Sequence, residues 1–316
     1  MDPAPADVTV SFVLDRDDEI AARPSGIGTK AVNLARMRLS GIPVPPLAVV
    51  LPTALAAHLR GVDRPADLAG SDTGAGRAEL RRALVDAPVP TDVARAVLAA
   101  YETISAGGSH LVAVRSSSGT EDGGTSSYAG QFESYLGVTP DLLLTRLRQC
   151  WASAVGDRVA GYQASRSEHG SPLDNMAVIV QRQVLAEKGG VLFSRHPVRP
   201  DEEVRYLEAN FGTAESVVGG LSVPDSHVVS RATGAVLEST VATKTVMTVV
   251  PVDGQDTGEV AIPDFLADAP VLTGAEIGAL IELAGRIERL FGGPQDIEWA
   301  IEGDQVWIVQ ARPITA

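Results

Sequence analysis

Apolar positions recur along this chain with two periods, near 3.6 and near 2, and the periods alternate. An apolar run at Phe12 to Leu14 has strand character. A glycine-rich turn at Ser25–Gly28 precedes Lys30 to Leu39, where Ala31, Leu34, Ala35 and Met37 or Leu39 fall near helical spacing. Gly41 and Pro43 stop that helix, and PPLAVVLP, Pro45 to Pro52, reads as a strand. Residues 61–91 are richer in Gly, Asp, Pro and Ala and predict loops with one or two surface helices. Val93 to Ile104 predicts a helix, and Leu111–Val114 a short buried strand followed by a long loop of Ser, Gly and Thr. From Asp141 to Gly161, Leu142, Leu143, Leu147, Cys150, Trp151 and Val155 keep the helical period. Met176–Val184, Gly190–Phe193 and Val204–Glu208 predict strands. Ala275 to Phe291 predicts an amphipathic helix, and Thr273 with Glu276 three residues later is a capping-box signature at its start. Two strands then close the chain, and no internal repeat is visible.

Composition narrows the functional classes. The 316 residues include 45% hydrophobic and only 4% aromatic side chains, so the core must be built from Val, Leu, Ile and Ala. The formal charge is −14, from 40 acidic and 26 basic residues without a long Lys/Arg run, which points away from nucleic acid. An acidic surface still tolerates a local basic pocket for a small anion, above all beside a metal ion. Cys150 is the single cysteine, so no intrachain disulfide forms. The N-terminal residues lack the pattern of a signal peptide, and no apolar run reaches the length of a membrane span. The expectation is a soluble cytoplasmic protein without membrane contact.

Three segments carry candidate chemistry. In GGPQDIEWAIEGDQVWIVQARPITA, alternation puts Ile297, Trp299 and Ile301 on one face and Glu298 and Ala300 on the other. A turn at Glu302–Asp304 places Glu298 opposite Gln310, with Ile308, Gln310 and Arg312 expected to share a face. A carboxylate, an amide oxygen and a guanidinium would then converge, which suits a magnesium–polyphosphate complex. The same spacing also fits a surface hairpin whose polar face meets solvent. In SGIGTKAVNL, glycines before a helix and then Lys30 could receive an anion, though the order of a P-loop is absent, and a plain helix entry fits equally. The loop from Val114 to Leu136 sets Arg115 directly after a strand and reads as either a surface loop or an anion-binding one. Gln181, among apolar neighbours, needs a partner, either an adenine edge or backbone. None of the five histidines forms a zinc spacing, and His196 in FSRHP is the one to follow.

Taken together and in order, these segments resemble the ATP-binding domain shared by phosphoenolpyruvate synthase, pyruvate phosphate dikinase and rifampicin phosphotransferase. GTKAVNLARMRLSGIPVPP is similar to that family's GGKxxNL segment and its following proline-rich turn. LVAVRSSSGTEDGGTSSYAGQFESYL resembles its AVRSSATAED…SFAGQ segment, and MAVIVQRQVLAEKGGVLFSRHP its VQxMV…GVxFTxxP stretch. NFGTAESVVGGLSVPDSHVV resembles WGLGExxVxGxxxPDxY, and PQDIEWAIEGDQVWIVQARPI the PQDIEWA…LQARP ending. The chain departs from the pattern at Gly28-Thr29-Lys30-Ala31, at Ser134 for threonine, at His196, and at Phe211-Gly212-Thr213-Ala214-Glu215.

The resemblance implies an α+β ATP-grasp fold with two lobes, residues 1–185 and 186–316, clamping ATP and Mg2+. By motif position it implies Lys30, Arg115 and Arg312 on phosphates, Gly130 and Ser134 in the phosphate-side loop region, Gln181 near adenine, and Glu298 and Gln310 on magnesium. The loop after Arg115 is then expected to act as a mobile phosphate lid. Family members relay the phosphoryl group through a histidine of a swivelling domain, and none of the five histidines here lies in such a motif. The expected activity is an ATP-dependent phosphotransferase, kinase or dikinase, acting on a separately encoded phosphohistidine-domain protein or directly on a small acceptor. A non-catalytic ATP-binding module and an ATP-grasp ligase are the competing readings.

Overall fold

The computed structural model describes residues 11–23, 26–62, 74–105, 111–118, 134–155, 176–251 and 257–314. Two antiparallel sheets organise them. The first has the strand order β1-β2-β5-β3-β4, from β1 (Val13–Leu14), β2 (Leu47–Val50), β3 (Val112–Ser118), β4 (Ser134–Val138) and β5 (Met176–Arg182). Met176, Val178 and Val180 of β5 enter one core while Ala177 and Ile179 enter another. This central strand is therefore apolar on both faces, which a continuous hydrophobic run encodes.

The core on the outer face is closed by helices α3 (Pro52–Arg60), α4 (Gly74–Asp86), α5 (Thr91–Ile104) and α6 (Leu143–Ser153), following α1 (Asp17–Ala21) and α2 (Thr29–Leu39) in the chain. Trp151, Tyr101, Leu84, Leu143 and Leu147 are fully buried there. The helix at Pro52–Arg60 was not expected, although proline at its first position has a preset φ and no N–H to lose.

The second sheet runs β13-β12-β6-β7-β8-β9, from β6 (Lys188–Phe193), β7 (Val204–Phe211), β8 (Asp225–Ser230), β9 (Val236–Thr240), β12 (Gln295–Glu302) and β13 (Gln305–Pro313). A small hairpin, β10 (Val246–Val249) and β11 (Gly258–Ala261), stands beside it. The short helices α7 (Glu215–Val218) and α8 (Asp264–Ala267) precede the long α9 (Gly274–Phe291). Ile277, Leu280, Ile281, Leu283, Ala284 and Ile287 of α9 pack in the same core as Ile297, Trp299 and Ile301 of β12. The capping box forms as expected: Thr273 Oγ1 accepts from Glu276 N at 3.3 Å, and Thr273 N donates to Glu276 Oε2 at 2.7 Å.

The core beneath the second sheet continues through α2 into the inner face of the first, where Leu47, Val49, Ala177 and Ile179 join it. Helix α2 is the link. Its Asn33 Nδ2 donates to Ala311 O of β13 at 3.2 Å, and its Ala31 N donates to Ser117 Oγ of β3 at 3.3 Å. One helix thus fixes strands from both sheets. Among the described residues, no helix is long and apolar enough to cross a membrane.

Two expectations need correction. The strand after Leu111 does not stop at Val114; β3 continues through Ser118, fully paired with β5. Ser116 and Ser117 are buried, and Ser117 Oγ donates to Ile27 O at 2.7 Å, so these hydroxyls belong to the sheet and not to a loop. The second correction concerns β13. Glu298 pairs with Gln310, as the turn position implied, but Trp299 pairs with Ile308. Val309 is therefore the extra residue of a β-bulge. Ile308 turns into the core with Trp299 and Ala311, and does not share the face of Gln310 and Arg312.

Candidate active site

A cavity of about 640 Å³ lies between the inner ends of the two sheets. Lys30, Arg115, Ser134, Gln181, Glu298, Gln310 and Arg312 all line it. Gly130 and most of the lid expected between Val114 and Leu136 lie outside the described residues.

Strand register shows how the cavity is polarised. On β3, Arg115 sits opposite Ser134 of β4, while Ala113, two residues back, sits opposite Gln181 of β5. On β12, Glu298 sits opposite Gln310, and Ala300 lies two residues further on. Two residues of strand advance the chain by about 6.6 Å on the same face. Arg115 meets Glu298, so charged groups gather at one level. Ala113, Ala300, Leu136, Val184 and Ala186 line the part toward the connection from β5 to β6. That connection is pinned by Leu185 N donating to Glu302 Oε1 at 2.8 Å and Glu187 N donating to Ile301 O at 2.9 Å. Arg182 adds a bond to Glu302 at 3.0 Å and lies over the Trp307 ring.

At the charged end, Arg115 is the hub. Its Nη2 donates to Glu298 Oε2 at 3.3 Å and to Gln310 Oε1 at 3.1 Å, and its Nη1 donates to Val309 O at 3.2 Å. The bulge aims that carbonyl into the cavity. The guanidinium that joins Glu298 and Gln310 is thus Arg115 and not Arg312 as expected. Arg312 instead pairs across β12 with Asp296, Nε to Oδ2 at 2.9 Å and Nη2 to Oδ2 at 2.8 Å. Their strand positions are directly opposed, which is the reason. Burial pushes the Asp296 carboxyl up from the ordinary range; Arg312 opposes that shift and Glu298 adds to it. Lys30 reaches in from the first turn of α2, its Nζ 3.3 Å from Ser116 O. The turn before it needs Gly28, whose φ of 79° is left-handed. Gln181 is buried and donates from Nε2 to Pro45 O at 3.3 Å, so its amide nitrogen is held by backbone.

Glu215 was not expected as a site residue, yet it lines the cavity at the start of α7. Burial raises its carboxyl above the ordinary range; Arg115 pulls the other way and Glu298 pushes further up. Its position depends on Gly212, where φ is 75° and a Cβ would meet Thr248 O at 2.2 Å. The available signal was the Gly-x-x-Glu spacing directly after a strand. His196 lies elsewhere. It lines a separate cavity of about 510 Å³ with Tyr206, Glu208 and Glu238, and its Nδ1 accepts from Val198 N and Arg199 N, both at 3.2 Å. Burial lowers its pKa, and Arg199 lowers it further.

Among the described residues, no group of three or more His, Cys, Asp or Glu side chains could hold a metal by itself. The Glu298 carboxylate and the Gln310 amide oxygen, side by side, could contribute two oxygen donors to a magnesium ion whose remaining ligands were phosphate oxygens and water.

A family model described as "Pyruvate phosphate dikinase, AMP/ATP-binding domain" matches residues 25–316. A probable phosphoenolpyruvate synthase of Methanothermobacter thermautotrophicus is 33% identical across 99% of this chain and 47% of its own length. A rifampicin phosphotransferase of Streptomyces sviceus is 35% identical across 98% of this chain and 36% of its own. The prodigiosin synthesizing transferase PigC of Serratia marcescens is 31% identical across 96% of this chain and 33% of its own. The chain thus spans about half or less of the length of these relatives. A D-alanine-D-alanine ligase structure from Coxiella burnetii overlays 93% of the chain at a TM-score of 0.31 and 10% identity, too loosely to define the fold. Near-complete coverage by the family model and by these relatives makes this chain a member of the pyruvate phosphate dikinase AMP/ATP-binding domain family.

Proposed function

We propose that this chain is an ATP- and magnesium-dependent phosphotransferase with an ATP-grasp arrangement, residues 1–185 and 186–316 forming the two lobes that hold the nucleotide. The observation that carries this reading is the polarised cavity. One end sets Ala113, Leu136, Val184 and Ala186 beside Gln181, Arg182 and Gln183, and the other gathers Lys30, Arg115, Glu298, Gln310 and the Asp296–Arg312 pair. Its volume of about 640 Å³ suits a nucleotide-sized ligand.

In this reading the base lies toward Val184 and Ala186, with Gln181 at that end, and the phosphates lie toward Arg115. Lys30 contributes a point charge from the first turn of α2. Arg115 and Arg312 contribute planar forks of donors suited to phosphate oxygens. Asp296 grips Arg312 through Nε and Nη2 and so fixes the direction of its fork. Ser134, opposite Arg115 in the sheet, borders the same phosphate end, with Gly130 in the segment before it. Glu298 and Gln310 would hold the metal. Bound there, it would supply positive charge to offset that of the phosphate oxygens. Phosphoryl transfer needs little more from a protein than this positioning and charge stabilisation.

The acceptor is either a separately encoded phosphohistidine-domain protein or a small molecule. Incubation with magnesium and ATP, with and without candidate acceptors, followed by nucleotide chromatography, tests the reading. Acceptor-dependent ADP or AMP is the expected result, ADP marking a kinase and AMP a dikinase. ATP binding without turnover for every acceptor would make the chain a nucleotide-binding module. Failure to bind ATP would overturn the reading altogether.

A further inference from the structure

We infer that the second cavity, the one beside His196, is a binding site for a small organic cation: an amine carried on an aromatic or other apolar group. The cavity measures about 510 Å³, room for a small molecule. Recognition there needs no nucleotide; only the place of the occupant next to phosphates rests on the function proposed above.

Strand register sets where this cavity stands. Asp296 of β12 lies opposite Phe193 of β6, and Phe193 opposite Tyr206 of β7. Tyr206 in turn faces Val228 of β8, and Val228 faces Glu238 of β9. The neighbouring row runs from Glu298 through Val191, Glu208 and Ser226 to Thr240. Directly paired residues share one face of a sheet. Both rows therefore lie on the face that carries Asp296 and Glu298 at the charged end of the first cavity, while Leu192 and Leu207 point into the core. Phe193 and the members of both rows from β7 onward form the floor of the second cavity. Strands are spaced by about 4.8 Å, so Glu208 stands two strands, about 10 Å, from Glu298.

Two features select a cation. One is ring surface. Phe193 and Tyr206 lie side by side with centroids 6.4 Å apart and planes at 23°, and the His196 ring is 4.8 Å from that of Tyr206. Aromatic faces attract a cation held within about 6 Å of them. The other feature is negative charge without compensation. Glu208 is part-buried, accepts the Tyr206 hydroxyl at 3.0 Å, and pairs with no cation among the described residues. Glu238 meets Arg199 at 3.4 Å, but Glu202 shares that guanidinium at 3.3 Å. His196 does not supply the missing charge. Its Nδ1 accepts from Val198 N and Arg199 N, so the ring proton sits on Nε2, and a second proton on Nδ1 would break both bonds. Burial and the charge of Arg199 act in the same direction and keep the ring neutral. The excess of carboxylate repels an anionic ligand, while Pro197 and Val198 give an apolar group a wall to lie against.

Phenethylamine is the probe, titrated calorimetrically into the protein at neutral pH without nucleotide. Hydrocinnamate, which carries a carboxylate on the same ring and linker, is the control. Phenethylamine should bind about tenfold more tightly than hydrocinnamate. Glu208→Gln should weaken phenethylamine about fivefold, and Tyr206→Leu should do the same by removing a ring face. Tyr206→Phe keeps that face and should stay within about threefold of wild type. Circular dichroism melts establish that each variant folds. Equal affinity for the two probes would overturn the inference, as would phenethylamine binding that Glu208→Gln leaves unchanged, or no phenethylamine binding at all. Should Tyr206→Leu not fold, the comparison of probes and Glu208→Gln still decide. No step of this test uses ATP, so its failure leaves the nucleotide reading standing, and failure to bind ATP leaves the cation site standing.

Discussion

The buried ion pair behind the cavity offers a test of the fold that holds Glu215. Lys244 Nζ lies 2.7 Å from Asp225 Oδ1, and both side chains are 0% exposed. Lys244 also donates to Ala242 O at 2.8 Å, while Asp225 accepts from Ala242 N at 3.0 Å and Val271 N at 2.8 Å. The segment that follows Lys244 supports the turn before α7: Thr213 N donates to Thr248 O at 2.8 Å, and Asn210 Nδ2 donates to Val246 O at 3.0 Å. Lys244→Met leaves the Asp225 charge in the core with only backbone donors. Asp225→Asn leaves the Lys244 ammonium without a counter-charge, with only the Ala242 carbonyl, a neutral amide and the Phe211 ring face beside it. Each single change should cost about 3–5 kcal/mol, the penalty of an uncompensated buried charge. The double variant removes both charges at nearly constant volume and should lie within about 2 kcal/mol of wild type. The pairwise coupling is then about 4 kcal/mol or more, read from urea unfolding followed by circular dichroism. Additive single effects, within about 0.5 kcal/mol, would refute the account of this pair.

Other consequences are smaller. Burial raises the Glu215 carboxyl in the folded state, so as pH rises the unfolded chain releases this proton first and stability falls above the ordinary value of 4.5. Glu215→Gln should therefore raise the melting temperature at neutral pH, and the gain should vanish as the pH falls below that value; a gain independent of pH would contradict the assignment. Ser117→Ala removes the hydroxyl between Ile27 O and Ala31 N and should cost about 1–3 kcal/mol by leaving buried backbone groups unpaired. It should also weaken ATP binding, because it frees the turn that carries Lys30; calorimetry of both properties checks this. Thr273→Ala breaks the capping box of α9 and should cost about 1 kcal/mol in denaturant titration without altering nucleotide affinity.

What the sequence disclosed was mostly local. The capping box, the helix after the Gly28 turn and the pairing of Glu298 with Gln310 depend on neighbours or on a single short turn. The extra residue at Val309 was hidden, because strand alternation alone does not say where a bulge absorbs a mismatch. Arg115 and Glu298 are 183 residues apart, and nothing in either segment names the other as its partner. The run after Arg115 looked like a loop because Ser116–Ser118 are small and polar, yet β5 pairs with them throughout. Asp225 and Lys244 sit in polar stretches that resemble surface, and only tertiary packing buries them. Glu215 required the left-handed Gly212 and the support of Thr248, a contact across the fold.

The most direct measurement is an anomalous difference map from crystals grown with Mn2+ and a non-hydrolysable ATP analogue. The account predicts one Mn2+ peak between the Glu298 carboxylate and the Gln310 amide oxygen, phosphates among Lys30, Arg115 and Arg312, and the base toward Val184 and Ala186. A nucleotide bound outside this cavity, or a metal that touches neither Glu298 nor Gln310, would contradict it.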